Sequence, residues 1–320
     1  MIELRRLSKH FADTTAVDAI DLSIARGELC VLVGTSGCGK STTLRMINRL
    51  IEYSEGTLMV DGRPIDQLDA VQLRRRMGYA IQSTGLFPHW TVAQNIGLVP
   101  RLLKWPKSKI AQRVDELLNL LNMPAREFAD KYPQQLSGGQ AQRVGVARAL
   151  AGDPDILLMD EPFAALDPIT RSNLQDELLR ILHQMGKTIV FVTHDIDEAL
   201  KLADRIVIMD QGRIVQQGSA HELLSQPANE FVSQLLGKAD RGLKQASLRQ
   251  VQERMQPNIQ GYQSEQPSIS AKASLKQALS AMLWHQQDYL WVLDHQQQPQ
   301  GLIELADIIP TKPQHRRPRS

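Results

Sequence analysis

Residues 34–41 read Gly-Thr-Ser-Gly-Cys-Gly-Lys-Ser, matching every fixed position of the phosphate-loop pattern G-x-x-x-x-G-K-[ST]. The apolar run Leu29-Cys30-Val31-Leu32-Val33 precedes it and the helix-compatible Thr42-Thr43-Leu44-Arg45-Met46-Ile47 follows. A strand that feeds a glycine-rich turn into a helix is the setting this pattern needs. Gly34, Gly37 and Gly39 let the backbone wrap a polyphosphate, with N–H groups and a helix N-terminus aimed at it. Lys40 can reach the β- and γ-phosphates, and the Ser41 hydroxyl is a candidate Mg²⁺ ligand. The expected contact set is Gly34, Thr35, Ser36, Gly37, Cys38, Gly39, Lys40, Ser41 and Thr42, and the expected ligand is a nucleoside triphosphate.

Composition narrows the partners. Lys plus Arg total 37 against 35 for Asp plus Glu, so bulk charge gives no case for nucleic-acid binding. Cys30 and Cys38 lie in the strand and loop just described; neither suits a disulfide framework, and a reducing cytosol is the expected compartment. No stretch approaches the roughly 20 apolar residues of a membrane-spanning helix, and the N-terminus lacks a signal-type apolar core. Membrane association would go through a partner or a surface patch.

Along the chain, residues 1–33 carry short apolar runs consistent with short strands, and 57–60, closed by Asp61-Gly62, read as a strand and turn. Ile110, Val114, Leu117, Leu118 and Leu121 keep a helical period. Residues 156–159 and 188–192 are continuous apolar runs that suit buried parallel strands. Between them 173–185 read as helix, with Leu174, Leu178, Leu179 and Leu182 on one face. Strand, helix, strand in that order implies a parallel sheet and an α/β fold. Composition shifts after Gly237: residues 241–320 hold fifteen glutamines. The expected organisation is a nucleotide-binding domain over 1–237, a linker over 238–247, an accessory domain over 248–309 and a disordered basic tail over 310–320.

Further motifs select among phosphate-loop proteins. Leu136-Ser137-Gly138-Gly139-Gln140 stands before a helix-like run from Ala141 to Leu150, so its donors can present a helix N-terminus to an anion. Asp160 and Glu161 end an apolar strand; Asp160 suits Mg²⁺ held through water, and Glu161 suits an attacking water. His194, after strand 188–192, can reach the γ-phosphate or that water. Gln82, after Gly78-Tyr79-Ala80-Ile81, can reach the metal or the water. Alone, an Asp-Glu pair reads as a solvated strand end and a histidine as structural; in this order and spacing they read as one catalytic set.

The set resembles the nucleotide-binding subunit of an ATP-binding cassette (ABC) transporter over residues 1 to about 237. The resemblance supplies a phosphate loop (Gly34–Ser41), a Q-loop (Gln82), a signature (Leu136–Gln140), a Walker B pair (Asp160, Glu161), a D-loop (Ala165-Leu166-Asp167) and a switch histidine (His194). It implies a P-loop NTPase fold of ABC type, with an antiparallel β subdomain and a helical subdomain over about 86–150. It also implies adenine stacking on Phe11, the alternative being a core aromatic in a hairpin. In the implied head-to-tail homodimer, Leu136, Ser137, Gly138, Gly139 and Gln140 serve the partner copy's ATP. Thr35, Ala141 and the Ala-Ala opening of the D-loop depart from the commonest residues without removing a catalytic group.

With one cassette, no fused membrane helices and only about 95 residues between phosphate loop and signature, the chain is most similar to separate importer ATPases. Met46–Ile51, Gly85–Ile96, Leu98–Trp105 and Met159–Arg171 are similar to the group that imports glycine betaine, choline or carnitine. That implies integral membrane permease subunits, docked near Phe87 and Trp90 unless those aromatics are core, and an indirect solute-binding protein. The implied location is peripheral, on the cytoplasmic side of the plasma membrane. An importer ATPase for an amino acid or polyamine is the nearer alternative, and an ABC ATPase acting on nucleic acid or ribosomes the distant one. Residues 248–255 and 268–309 resemble a single cystathionine-β-synthase (CBS) repeat, implying a small α+β domain that either senses a ligand or stabilises a dimer.

Overall fold

The computed structural model describes residues 1–309 except 82–84, 165, 168–170, 172–173, 176–177, 179–185, 258 and 264. The expected helix over 173–185 therefore lies largely outside the described residues, as do Gln82, Ala165 and the 310–320 tail. The chain forms two compact units, the first Met1–Leu223 and the second beginning at Leu224.

The first unit opens with two long strands rather than the short ones expected. β1 (Ile2–Phe11) and β2 (Thr14–Ile24) pair antiparallel. Their apolar alternation changes phase, Ile2-Leu4 to Leu7 and Val17 to Ile20, where Arg6 and Ala19 take positive φ and the register shifts. Bulges of this kind break the period-2 pattern without ending the strand. The sheet is completed in the order β2-β1-β4-β5 by β4 (Glu55–Val60) and β5 (Arg63–Pro64). Asp61 and Gly62, at φ of 51° and 72°, make the tight hairpin between them.

The second sheet is formed by β3 (Leu29–Gly34), β6 (Met77–Ala80), β7 (Ile156–Asp160), β8 (Thr188–Thr193), β9 (Arg205–Asp210) and β10 (Arg213–Gly218), in the order β10-β9-β3-β8-β7-β6. All are parallel except β10 on the edge. β3, β7 and β8 are buried along their whole length, as their unbroken apolar runs require. In such a sheet a ligand sits beyond the carboxyl ends of the strands, near the point where the strand order reverses. The register places Gly34 beside Met209, Asp160 beside Val192 and Val33 beside Thr193, so five strand ends deliver their following residues to one edge.

Between β6 and β7 the chain is helical: Val92–Ile96, Leu98–Leu102, Lys107–Leu120, Ala125–Phe128 and Gly138–Leu150. Val114, Leu117, Leu118 and Leu121 are buried as their period indicates.

In the second unit, residues 238–247, expected as a linker, carry the helix Arg241–Ser247. β11 (Ser268–Ser270), β12 (Tyr289–Leu293) and β13 (Pro299–Glu304) form a sheet in that order, β11 parallel and β13 antiparallel to β12. The helix Leu275–His285 packs Leu275, Ala278 and Met282 into a small core with Val251, Leu290, Val292 and Ile303. Its start is fixed by a capping box between Ser274 and Gln277. Residues 256 and 302 exchange backbone hydrogen bonds of 2.7 and 2.9 Å, an approach that requires glycine at 301, where a Cβ would strike the Gln256 carbonyl.

Candidate functional site

The phosphate loop leaves β3 at Gly34 and enters the helix Lys40–Ile47. Gly37 and Gly39 take φ of 79° and 101°, values that L-residues avoid. The two glycines serve different ends. A Cβ on Gly39 would collide with the Ala16 carbonyl, whereas one on Gly37 would meet nothing within 4 Å. The loop is thus pressed onto the protein on one side and open on the other, where Thr35, Ser36 and Gly37 are exposed. Lys40 is buried, and its Nζ donates to the carbonyl oxygens of Gly34 (2.9 Å) and Thr35 (2.8 Å) and lies 3.6 Å from Cys38 Sγ. Thr43 donates to the Gly39 carbonyl at 2.9 Å and pins the helix start; Thr42 stands in that first turn. Burial pushes the Cys30 thiol up to about 12, which makes it an inert core residue.

Beside the loop, Ser41 Oγ donates to Asp160 Oδ1 at 2.7 Å. Asp160 is buried at the end of β7. The next residue, Glu161, turns at a φ of 48° while its N–H donates to the Val192 carbonyl at 2.9 Å. A non-glycine residue in this region is strained and persists only where its surroundings over-determine it. The turn carries Glu161 Oε2 to 3.2 Å from Nδ1 of His194, just past β8. Ser41, Asp160, Glu161 and His194, spread over 154 residues of sequence, thus meet at one sheet edge.

Tyr79 was not anticipated. It lies on β6, and its phenol is pushed up by burial and by the nearby Asp160 carboxylate, with Arg45 opposing. Its signal was the four-residue apolar run before Gln82, which reads as strand and gives no hint of a polar neighbour.

The remaining candidates have local contacts of their own. Phe11 ends β1, is 45% exposed, and has Lys9 Nζ 4.7 Å from its ring centroid; it is no core aromatic. The helix expected from Ala141 begins at Gly138. Ser137 is its N-cap: its Oγ accepts from Gln140 N–H at 3.3 Å, while Gln140 Oε1 accepts from Ser137 N–H at 2.9 Å. Leu136 precedes this cap, and Gly138 and Gly139 form the first turn. The carbonyl of Asp167 accepts from Arg171 N–H at 2.9 Å.

Phe87 and Trp90 stack with centroids 4.7 Å apart, Phe87 being 44% exposed, and the Arg101 guanidinium lies 5.2 Å from the Trp90 ring. The loop that presents them is held from beneath by Asn95, fully buried and also missed in the sequence. Its Oδ1 accepts from Phe87 N–H at 2.8 Å, and its Nδ2 donates to the carbonyls of Phe87, Trp90 and Thr91 at 3.2, 3.1 and 3.0 Å.

Comparison with known proteins agrees with this geometry. The family model described as ABC transporter matches residues 17–164. The chain is 49% identical to the "Glycine betaine uptake system ATP-binding protein YehX" of Escherichia coli (strain K12), over 97% of this chain and 99% of that protein. It is 49% identical to the "Glycine betaine/carnitine/choline transport ATP-binding protein OpuCA" of Bacillus subtilis (strain 168), over 96% of this chain and 79% of that one. Among solved structures, the dimeric post-hydrolysis state of the ATP-binding cassette MJ0796 bound to ADP and Pi superposes with a TM-score of 0.62 at 34% identity, over 69% of this chain and 99% of that one. On the phosphate loop, the carboxylate pair at the sheet edge and this likeness along nearly its whole length, the chain belongs to the ATP-hydrolysing subunits that power ABC transporters.

Proposed function

We propose that this subunit powers import of glycine betaine or a related quaternary amine. The observation that carries its catalytic part is the pairing of Ser41 with Asp160 at 2.7 Å beside the pairing of Glu161 with His194 at 3.2 Å. The solute rests on likeness to subunits named for glycine betaine, carnitine and choline transport, which extends over almost the whole chain.

The donor set fits Mg²⁺, which prefers one or two protein oxygens together with substrate phosphates and water. Ser41 and Asp160 supply that number, and no larger His, Cys, Asp or Glu cluster occurs among the described residues. Bound there with ATP, the ion would neutralise charge on the phosphates. The chain's own residues do the rest. Lys40 and the loop N–H groups from Gly34 to Thr42 bind phosphate on the open side of Gly37. Glu161 takes the proton of the attacking water, and His194 orients Glu161 and that water. Gln82, outside the described residues, is the further candidate for contact with the metal or the attacking water. Phe11 offers an exposed aromatic face for adenine.

Two copies of the chain would sandwich ATP head to tail, each lending Leu136–Gln140 and Asp167 to the other's nucleotide. Closure on ATP and reopening after hydrolysis would move the permease subunits, which dock on Phe87 and Trp90. That places the protein at the cytoplasmic face of the membrane; among the described residues no helix is long and apolar enough to cross it. Within the second unit, residues 248–309, with their three-stranded sheet and capped helix, are read as the CBS-like accessory domain.

Uptake of radiolabelled glycine betaine, with and without this gene product and with Glu161→Gln, tests the reading. Uptake that needs the intact subunit supports it, and uptake indifferent to both removes the quaternary-amine assignment.

A further inference from the structure

Behind His194 lies a polar network that the catalytic reading does not use. Asp195, the next residue, accepts at Oδ1 from the N–H groups of Asp197 (2.9 Å) and Glu198 (3.2 Å), capping the helix Ile196–Leu202. Its Oδ2 lies 3.7 Å from Nη1 of Arg171. Arg171 also donates through Nη2 to the Leu166 carbonyl at 3.0 Å, and through its N–H to the Asp167 carbonyl at 2.9 Å. One turn further, Gln175 Nε2 donates to Glu198 Oε1 at 2.9 Å; the two residues are 6% and 5% exposed. Lys201 Nζ donates to the other end of Gln175 at 3.4 Å. Three side-chain bridges therefore join the segment after Asp167 to the segment after His194, and the one between Gln175 and Glu198 is buried.

We propose that Arg171, Gln175 and Glu198 are positioning residues that lock the Asp167 and His194 segments into one body and so set the approach of His194 to Glu161. The inference rests on the roles given above to His194 and Glu161. Its chemistry follows from the partners. Arg171 fixes the carboxylate that immediately follows His194, and a buried amide–carboxyl pair loses much when one member is removed, because the other is left unsatisfied. Displacement of the Asp167 segment would then displace His194 as well, giving nucleotide contacts at one place a route to the other.

The test is a double-mutant cycle on ATP hydrolysis by the full chain, using Glu198→Ala, Arg171→Ala, His194→Ala and the two pairs with His194→Ala. Glu198→Ala and Arg171→Ala should each lower kcat about tenfold with KM nearly unchanged. In the His194→Ala background each should have almost no further effect on kcat. Glu198→Gln, which keeps an acceptor for Gln175, should restore most of the turnover lost in Glu198→Ala, guarding against a mere folding defect. Additive losses, or a fall confined to KM, would overturn the brace while leaving the role of His194 intact. Full turnover in His194→Ala would overturn the role of His194 and the brace with it.

Discussion

Asn95→Ala isolates what holds the Phe87–Trp90 loop. Four contacts are lost, but Nδ2 has two hydrogens for three carbonyls, so the effective loss is about three hydrogen bonds. At about 1 kcal/mol each, the variant should be destabilised by about 3 kcal/mol. The Phe87 N–H, left inside the loop, places the loss at the upper end for this number of bonds. For a unit the size of Met1–Leu223, this corresponds to a fall in Tm of roughly 6–12 °C. Urea unfolding followed on the first transition should show a lower midpoint with an unchanged slope. Asn95→Asp supplies the control, since it keeps the shape and the acceptor but turns an oxygen toward three carbonyls; it should fare no better than alanine at neutral pH. A loss below about 1 kcal/mol in Asn95→Ala, or a stable Asn95→Asp, would show that the loop is held by something other than this side chain.

Three further outcomes are expected. Glu161→Gln should cut ATP turnover at least about 100-fold while ATP affinity, measured by equilibrium binding, stays near that of the parent. Lys40→Ala should weaken ATP binding itself by roughly 10–100-fold, the worth of a charged hydrogen bond, and unchanged affinity by calorimetry would count against its contact with phosphate. Burial raises the Glu198 carboxyl above its usual 4.5, against hydrogen bonds from Thr193 and Gln175, so its contribution to stability is fully present below that value and is lost as pH rises through the raised one. Glu198→Gln never ionises, so its Tm relative to the parent should climb as pH rises from about 4.5 toward neutrality; a flat difference would contradict the burial argument.

The parts of this protein that were legible in its sequence are those written in consecutive residues. The phosphate loop, the buried runs of β3, β7 and β8, and the helix through Val114, Leu117 and Leu118 each declare themselves within a dozen positions. Glu161 and His194 were legible as candidates, but their 3.2 Å approach depends on the β7–β8 register and on the positive φ of Glu161, which no local pattern encodes. β1 and β2 looked short because bulges at Arg6 and Ala19 shift the apolar phase midway. Asn95 was hidden because its partners are backbone groups up to eight residues earlier. Glu198 was hidden in Asp195-Ile196-Asp197-Glu198, which has the composition of a solvated helix start although its last member is 5% exposed.

The strand order has a consequence for synthesis. β3 is flanked by β9 and β8, so the strand that begins the nucleotide loop pairs only with segments made more than 150 residues later. At about 5–20 residues per second, the 175 residues between Gly34 and its neighbour Met209 take roughly 9–35 s to follow it from the ribosome. Until β8 has followed, with Thr193 coming 160 residues after its neighbour Val33, the apolar run Leu29–Val33 has neither of its native neighbours, and until β9 follows it has only one, an exposure that favours chaperone capture or aggregation of the nascent chain. A chain truncated before Arg205 would leave one side of β3 permanently open. Ribosome-bound fragments released before that point should therefore be protease-sensitive at the phosphate loop, and those released after Gly218 should not.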